Sequence, residues 1–186
     1  MPRVGLTPER IVAEAVVVAD EVGLENLTLA AVAKRCGVSL PGLYKHIDGL
    51  DSVKRDIAVL AVRELTQALA VASAGLSGRK ALRALGAAYR AYAGSHPGRY
   101  QASVRAPAPG DTEHAEAGVQ AFGVLRAALQ EYALEGTDLV HAIRMLRITC
   151  HGLASLEAEG GFGLPESLDV TFDRLFTALD SEFRSF

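Results

Sequence analysis

The chain has 186 residues, 49% of them apolar and 22% charged, with a formal net charge of -3, six Phe, five Tyr and no Trp. That apolar fraction with so little net charge excludes an intrinsically disordered chain, and this length allows about 70% of the unfolded surface to be buried. No run approaches the roughly 18 apolar residues of a membrane span. The best stretch, residues 11–19, is broken by Glu14. The opening residues hold Pro2, Gly5 and Glu9 and lead straight into a helix signal. No secretion peptide is therefore expected, and the protein is placed in the cytoplasm. Cys36 and Cys150 have neither CxxC nor zinc-ligand spacing, so both read as small buried residues. No cofactor and no metal is expected.

Strand signals are scarce, while apolar residues recur at three and four. The first helix starts with Thr7 as N-cap and Pro8 at the first helical position, runs through Ile11, Ala15, Val18 and Val22, and stops at Gly23. Thr28 caps a second, short helix that buries Leu29, Val32 and Ala33 and ends at Gly37, a residue suited to the left-handed conformation. Ser39 caps a third, with Pro41 early and Leu43 turned to the core, ending around His46. A long fourth helix follows from Leu50 to about Ala72, with apolar residues at Val53, Ile57, Leu60, Ala61, Leu65 and Ala68. Further helices are expected from Ser77 to Ser95, near Tyr100, and at about 113–131, 137–158 and 167–183, with residues 106–112, APAPGDT, as a loop.

The expected fold is all-α with about nine helices: a three-helix N-terminal bundle over residues 1–49, a connector helix over 50–76, and a larger helical domain over 77–186. Between Asn26 and Arg55 the chain carries Lys34, Arg35, Lys45, Lys54 and Arg55 against only Asp48 and Asp51, a basic segment in an acidic protein. Two short helices joined at Gly37–Val38 inside that segment have the geometry of a reading head, whose second helix enters the major groove. Its outer side would present Leu40, Pro41, Gly42, Tyr44, Lys45 and His46. The short side chains admit close approach to base edges, and the last three can donate to phosphates.

The run from Thr28 to Val53, TLAAVAKRCGVSLPGLYKHIDGLDSV, resembles the helix-turn-helix of the TetR family of bacterial regulators: a capping Thr, a Gly-Val-Ser turn, and Leu-Tyr-x-His closing the recognition helix. The resemblance implies phosphate contacts from Thr28, Tyr44 and His46, and base contacts from the stretch from Ser39 to Lys45. Where family members often carry Lys at the start of the fourth helix, this chain has Leu50, so that contact is either lost or supplied by Lys54. Further on, CHGLASLEAEGGFGLPES, starting at Cys150, is similar to a subtype marked by Trp followed by His-Gly, although the Trp is absent and Arg147 stands four residues before His151.

The final helix carries Phe172, Leu175 and Leu179, and the one before it Leu146 and Leu153. The resemblance implies that these two helices form a dimer bundle, and two heads related by a two-fold axis would read a palindromic operator in double-stranded DNA. Tyr89, Tyr92, Phe122, His141, Met145 and His151 mix aromatic and isolated polar groups, as the lining of a small-molecule cavity does. No catalytic motif occurs, so no enzyme is expected. The expectation is a homodimeric repressor released from its operator by an unidentified small-molecule ligand. An activator, a ligand-independent regulator and a helical scaffold remain as alternatives.

Overall fold

A computed structural model describes residues 6–186. Among them it contains nine α-helices, two short 3-10 helices and no strand, so the chain is all-α. The chain divides into two compact units. One holds the described residues up to Val62 together with His96–Ala117; the other holds Arg63–Ser95 and Gly118–Phe186.

In the first unit, α1 (Pro8–Val22) begins where the Thr7 side chain accepts the Arg10 N–H at 3.3 Å, and Pro8 starts the helix. It buries Ile11, Ala15, Val16, Val18 and Ala19 on one side and ends at Gly23. A 3-10 turn, Leu24–Asn26, follows, and the Leu24 N–H donates to the Gln101 side-chain carbonyl at 3.0 Å. In α2 (Leu29–Cys36) the cap is Thr28, whose hydroxyl accepts the Ala31 N–H at 3.2 Å. Gly37, at φ 71°, ends that helix, and the Val38 N–H returns to the Ala33 carbonyl at 3.0 Å, a left-handed closure that a side chain would strain. The regular part of α3 (Leu40–Leu43) is only four residues. Tyr44 to His46 continue as a turn rather than as helix, which Pro41 and Gly42, both poor helix formers, leave unsupported. Leu43 is fully buried and, with Ile11, Leu27, Val32, Val53 and Ile57, forms the core of this unit.

Residues 96–117, expected in the larger domain, belong to the first compact unit. In the structure α6 (Pro97–Ser103) packs instead on α1, because a side chain of one hydrogen lets the backbones meet: a Cβ on Gly98 would fall 2.1 Å from the Ala19 carbonyl oxygen. Asp20 holds the junction, accepting the Arg99 backbone N–H at 2.9 Å and its Nε at 2.7 Å. The helix α4 (Leu50–Ser73) begins in the first unit and ends in the second, and α7 (Thr112–Ala128) does the same at Ala117 and Gly118.

In the second unit α5 (Gly78–Ser95), α8 (Gly136–Ala158) and α9 (Leu168–Phe183) pack on one another around Leu82, Leu85, Leu146, Leu153, Phe176 and Phe183. The Phe176 ring lies on Gly86, where a Cβ would stand 2.0 Å from Phe176 Cζ. Arg90 reaches both Glu157, through Nε at 2.6 Å, and Asp169, through Nη1 at 2.7 Å, and so joins α5 to the end of α8 and the start of α9. Cys36 and Cys150 are free buried thiols, and burial pushes Cys150 up to about 12, so it remains protonated and inert.

Candidate nucleic-acid interface

The local chemistry of the head sets its outer surface. With Leu43 pinned in the core, the remaining positions of α3 and its trailing turn face outward: Ser39, Leu40, Pro41, Tyr44, Lys45 and His46 are exposed, and Gly42 is half-buried. Tyr44 is 54% exposed, too open for a packing role within the unit. Ser39 spends its acceptor on the Gly42 N–H at 3.3 Å, which holds the short helix, while its hydroxyl hydrogen can still be donated. Thr28 is exposed beside the start of α2, with its oxygen engaged in the cap. Lys54 is half-buried near the start of α4.

Charge on this unit differs from what the residue count implies. Of the five basic side chains between Asn26 and Arg55, two are committed to acidic partners. Arg35 pairs with Glu14 at 2.7 Å and Glu21 at 3.3 Å, both on α1. Arg55 forks onto Asp111, with Nε–Oδ2 at 2.8 Å, and reaches Asp56 at 2.9 Å and Glu113 at 2.7 Å. Lys34, Lys45 and Lys54 therefore carry the positive field. A sequence alone could hint at Arg35, since Glu14 and Glu21 are seven apart on one helix face, but nothing local announces that residues 111 and 113 return to Arg55.

Asp111 also caps α7, accepting the His114 N–H at 3.1 Å. The Arg55 guanidinium holds its carboxyl well below the usual carboxylate range, helped by that backbone bond. A folded carboxyl that titrates below its unfolded value near about 3.9 contributes stability that is whole above that pH and fades as pH falls through it toward the depressed value. Asp111→Asn is expected to lower the melting temperature near about pH 7, with the gap to the parent closing below about pH 4. A gap that stays constant across that range in thermal melts would show that the fork contributes no charge-dependent stability.

The other expected sites sit in the second unit. Tyr89 and Tyr92 on α5 are buried, and Tyr92 Oη donates to Glu64 at 3.0 Å. On α8 Met145 and His151 are half-buried and His141 is exposed; Phe122 on α7 is 37% exposed. A groove of about 610 Å³ beside α5 is lined by other residues, among them Ala87, Arg90, Ala91, Gly94 and Phe172. Of the residues expected at a dimer interface, Leu146, Leu153, Phe172 and Leu179 are buried within their own chain, and Leu175 alone of the five is exposed, at 36%. Outward apolar side chains beyond that set include Ile148, Val170 and, in the loop before α9, Leu164.

Two family models match the chain. The model of bacterial regulatory proteins of the tetR family covers residues 11–47, and a tetracyclin repressor-like C-terminal domain covers residues 82–179, more than half of the chain. The chain belongs to the TetR family. Relatives agree with that membership over nearly the full length. The chain is 32% identical over 173 residues to the HTH-type transcriptional regulator Rv0681 of Mycobacterium tuberculosis, covering 92% of this chain and 77% of that protein. It is 32% identical over 167 residues to the HTH-type transcriptional regulator YobS of Bacillus subtilis, covering 90% and 87%. Among solved structures, SCO4313 aligns with a TM-score of 0.72 at 26% identity over 92% of this chain and 93% of that one. A TetR variant from Acinetobacter baumannii AYE, solved in complex with minocycline, aligns at 0.68 over 97% and 98%; at 19% identity it speaks for the fold alone. This TetR-family chain is thus a helix-turn-helix transcriptional regulator, like its relatives. Among its described residues no helix is long and apolar enough to cross a membrane.

Proposed function

We propose that the protein is a homodimeric repressor in the cytoplasm that binds a palindromic operator through two helix-turn-helix heads and leaves it when a small molecule binds the second unit. The observation that carries the DNA-binding surface is the outward set Tyr44, Lys45 and His46, placed by a buried Leu43 next to a turn that Gly37 closes. In this reading Thr28, Tyr44, His46 and Lys54 hold phosphates. Ser39, Leu40, Pro41, Gly42 and Lys45 meet base edges, largely through methyl contacts and DNA shape, since Leu40, Pro41 and Gly42 lack hydrogen-bonding side chains.

The functional division follows 1–49 for reading, 50–76 for connection and 77–186 for ligand and partner, although within the last span His96–Ala117 packs with the reading head. Tyr89, Tyr92, Phe122, His141, Met145 and His151 are the proposed ligand contacts. Support for a ligand is the mixture of aromatic and polar groups. A ligand acts only by favouring the state that binds DNA poorly, and a tenfold loss of operator affinity needs about 1.4 kcal/mol of coupling. Leu175 is the member of the expected dimer set open to a second copy. Leu146, Leu153, Phe172 and Leu179 support such a face from beneath.

Tyr44→Ala or His46→Ala is expected to weaken binding to all duplexes by similar factors in fluorescence anisotropy, because a phosphate contact positions the head without reading sequence. If either change alters preference among operators and leaves nonspecific affinity intact, those side chains read bases instead.

A further inference from the structure

In a helix-turn-helix the first residues of the second helix are the ones carried to base edges. Here they are Leu40, Pro41 and Gly42, which between them offer no hydrogen-bonding side chain. The main chain adds little. The Gly42 N–H donates to Ser39 Oγ at 3.3 Å, the Ser39 carbonyl accepts the Leu43 N–H at 3.1 Å, the Leu40 carbonyl accepts the Tyr44 N–H at 3.3 Å, and Pro41 has no N–H. With about 3.6 residues per turn, Pro41 lies nearly opposite buried Leu43, and Leu40 flanks it. Proline suits the first turn of a helix for local reasons. Leu40 has no such reason to be apolar: Val38 and Ile47, on either side of the helix, pack on the core of the unit, whereas Leu40 is 38% exposed. The first turn of α3 is thus an apolar ledge.

The major groove offers such a ledge one apolar substituent, the C5-methyl of thymine. The other exocyclic groups and ring nitrogens there donate or accept hydrogen bonds, and burying them against Leu40 and Pro41 without a partner is costly. The base 5-methylcytosine carries the same methyl at the same ring position. It differs from thymine at position 4, where an amino donor replaces a carbonyl acceptor. Ser39, adjacent to the ledge, does not separate the two, because a hydroxyl serves donor and acceptor alike. We infer that Leu40 and Pro41 read the C5-methyl of a pyrimidine, on thymine and on 5-methylcytosine alike, so that cytosine methylation within an operator raises affinity for this protein; this rests on the DNA-binding surface proposed above. The group recognised is a 5-methylpyrimidine in duplex DNA. Methylation of the operator is then an input to regulation that needs no ligand in the second unit.

Fluorescence anisotropy of the full chain, on the duplex that selection from random sequences enriches, tests this. Replacing each thymine in turn by uracil removes only the methyl. At one or more positions in a half-site, uracil is expected to weaken binding about fourfold, the worth of burying one methyl-sized group. With a C·G pair placed at that position, methylating the cytosine at C5 is expected to strengthen binding by the same factor. Leu40→Ala is expected to remove most of both effects with helical circular dichroism unchanged, because the side chain lies outside the core. Uracil tolerated at every position overturns the inference, since no methyl is then read. A loss with uracil but equal binding of methylated and unmethylated cytosine also overturns it, and shows that a donor of the head reads the thymine carbonyl. Methyl effects undiminished in both Leu40→Ala and Pro41→Ala overturn the assignment to the ledge. Absence of binding to any duplex at low salt overturns the DNA-binding surface, and this inference with it.

Discussion

Replacing Lys34, Lys45 and Lys54 together by alanine is expected to lower operator affinity on the order of a thousandfold at low salt and to flatten its salt dependence, because each phosphate neutralised adds about 0.9 to the slope of log K against log salt. A dimer would lose six positive charges from its reading heads, and the slope would fall by about five if each offsets one phosphate charge. The reason for choosing these three lies in the pairing of the other two cations. Arg35 is held by Glu14 and Glu21, and Arg55 by Asp111, Asp56 and Glu113. Their charges are already compensated, so Arg35→Ala and Arg55→Ala should leave the salt slope close to that of the parent while reducing stability. Anisotropy titrations over a range of salt concentrations separate the two groups. A slope that falls as much for Arg55→Ala as for Lys45→Ala would show that the carboxylates release Arg55 on the duplex.

The largest effect on stability is expected at Phe176, whose ring is fully buried against α5. Phe176→Ala removes that ring and leaves a cavity, at a cost of about 3–5 kcal/mol. Gly86→Ala introduces the converse fault, because its new methyl would stand 2.0 Å from Phe176 Cζ. The ring or the helix must then move, which costs about 1–3 kcal/mol. The double variant should cost clearly less than the two added together, since the Gly86→Ala methyl then enters space the ring has vacated. Urea unfolding at fixed protein concentration gives the four values of the cycle, the fixed concentration being needed because dimerisation shifts apparent stability. Simple additivity would mean that the ring does not rest on Gly86.

Features decided within a few residues of sequence were legible. Thr7, Thr28 and Ser39 cap because their oxygens reach an amide three residues on, and Gly37 ends α2 because its left-handed φ disfavours side chains. The periodicity of α1 puts Ile11, Ala15, Val18 and Val22 on one face; the first three are buried, while Val22, in the last turn, is 46% exposed. Features set by distant partners were not. Arg55 reads as a basic residue of the head until the chain returns at Asp111, and α6 reads as part of the larger domain until Gly98 meets the backbone of Ala19. The stripe of α9 shows the limit of periodicity most clearly. Phe172, Leu175 and Leu179 share a broad apolar face, yet two turn into the chain's own core and one is exposed, a distinction that depends on the position of α5 and α8. Side chains of the same class serve both surfaces, so spacing identifies an apolar face without saying which neighbour covers it.

The central claim is that two helix-turn-helix heads of one dimer read DNA together, and selection from random duplexes followed by footprinting on the enriched sequence measures it most directly. The account predicts an inverted repeat whose half-sites are centred about 34 Å apart, or a multiple of that, protected on one face of the duplex. Enrichment of a single unrepeated half-site, or of no sequence at all at low salt, would contradict it.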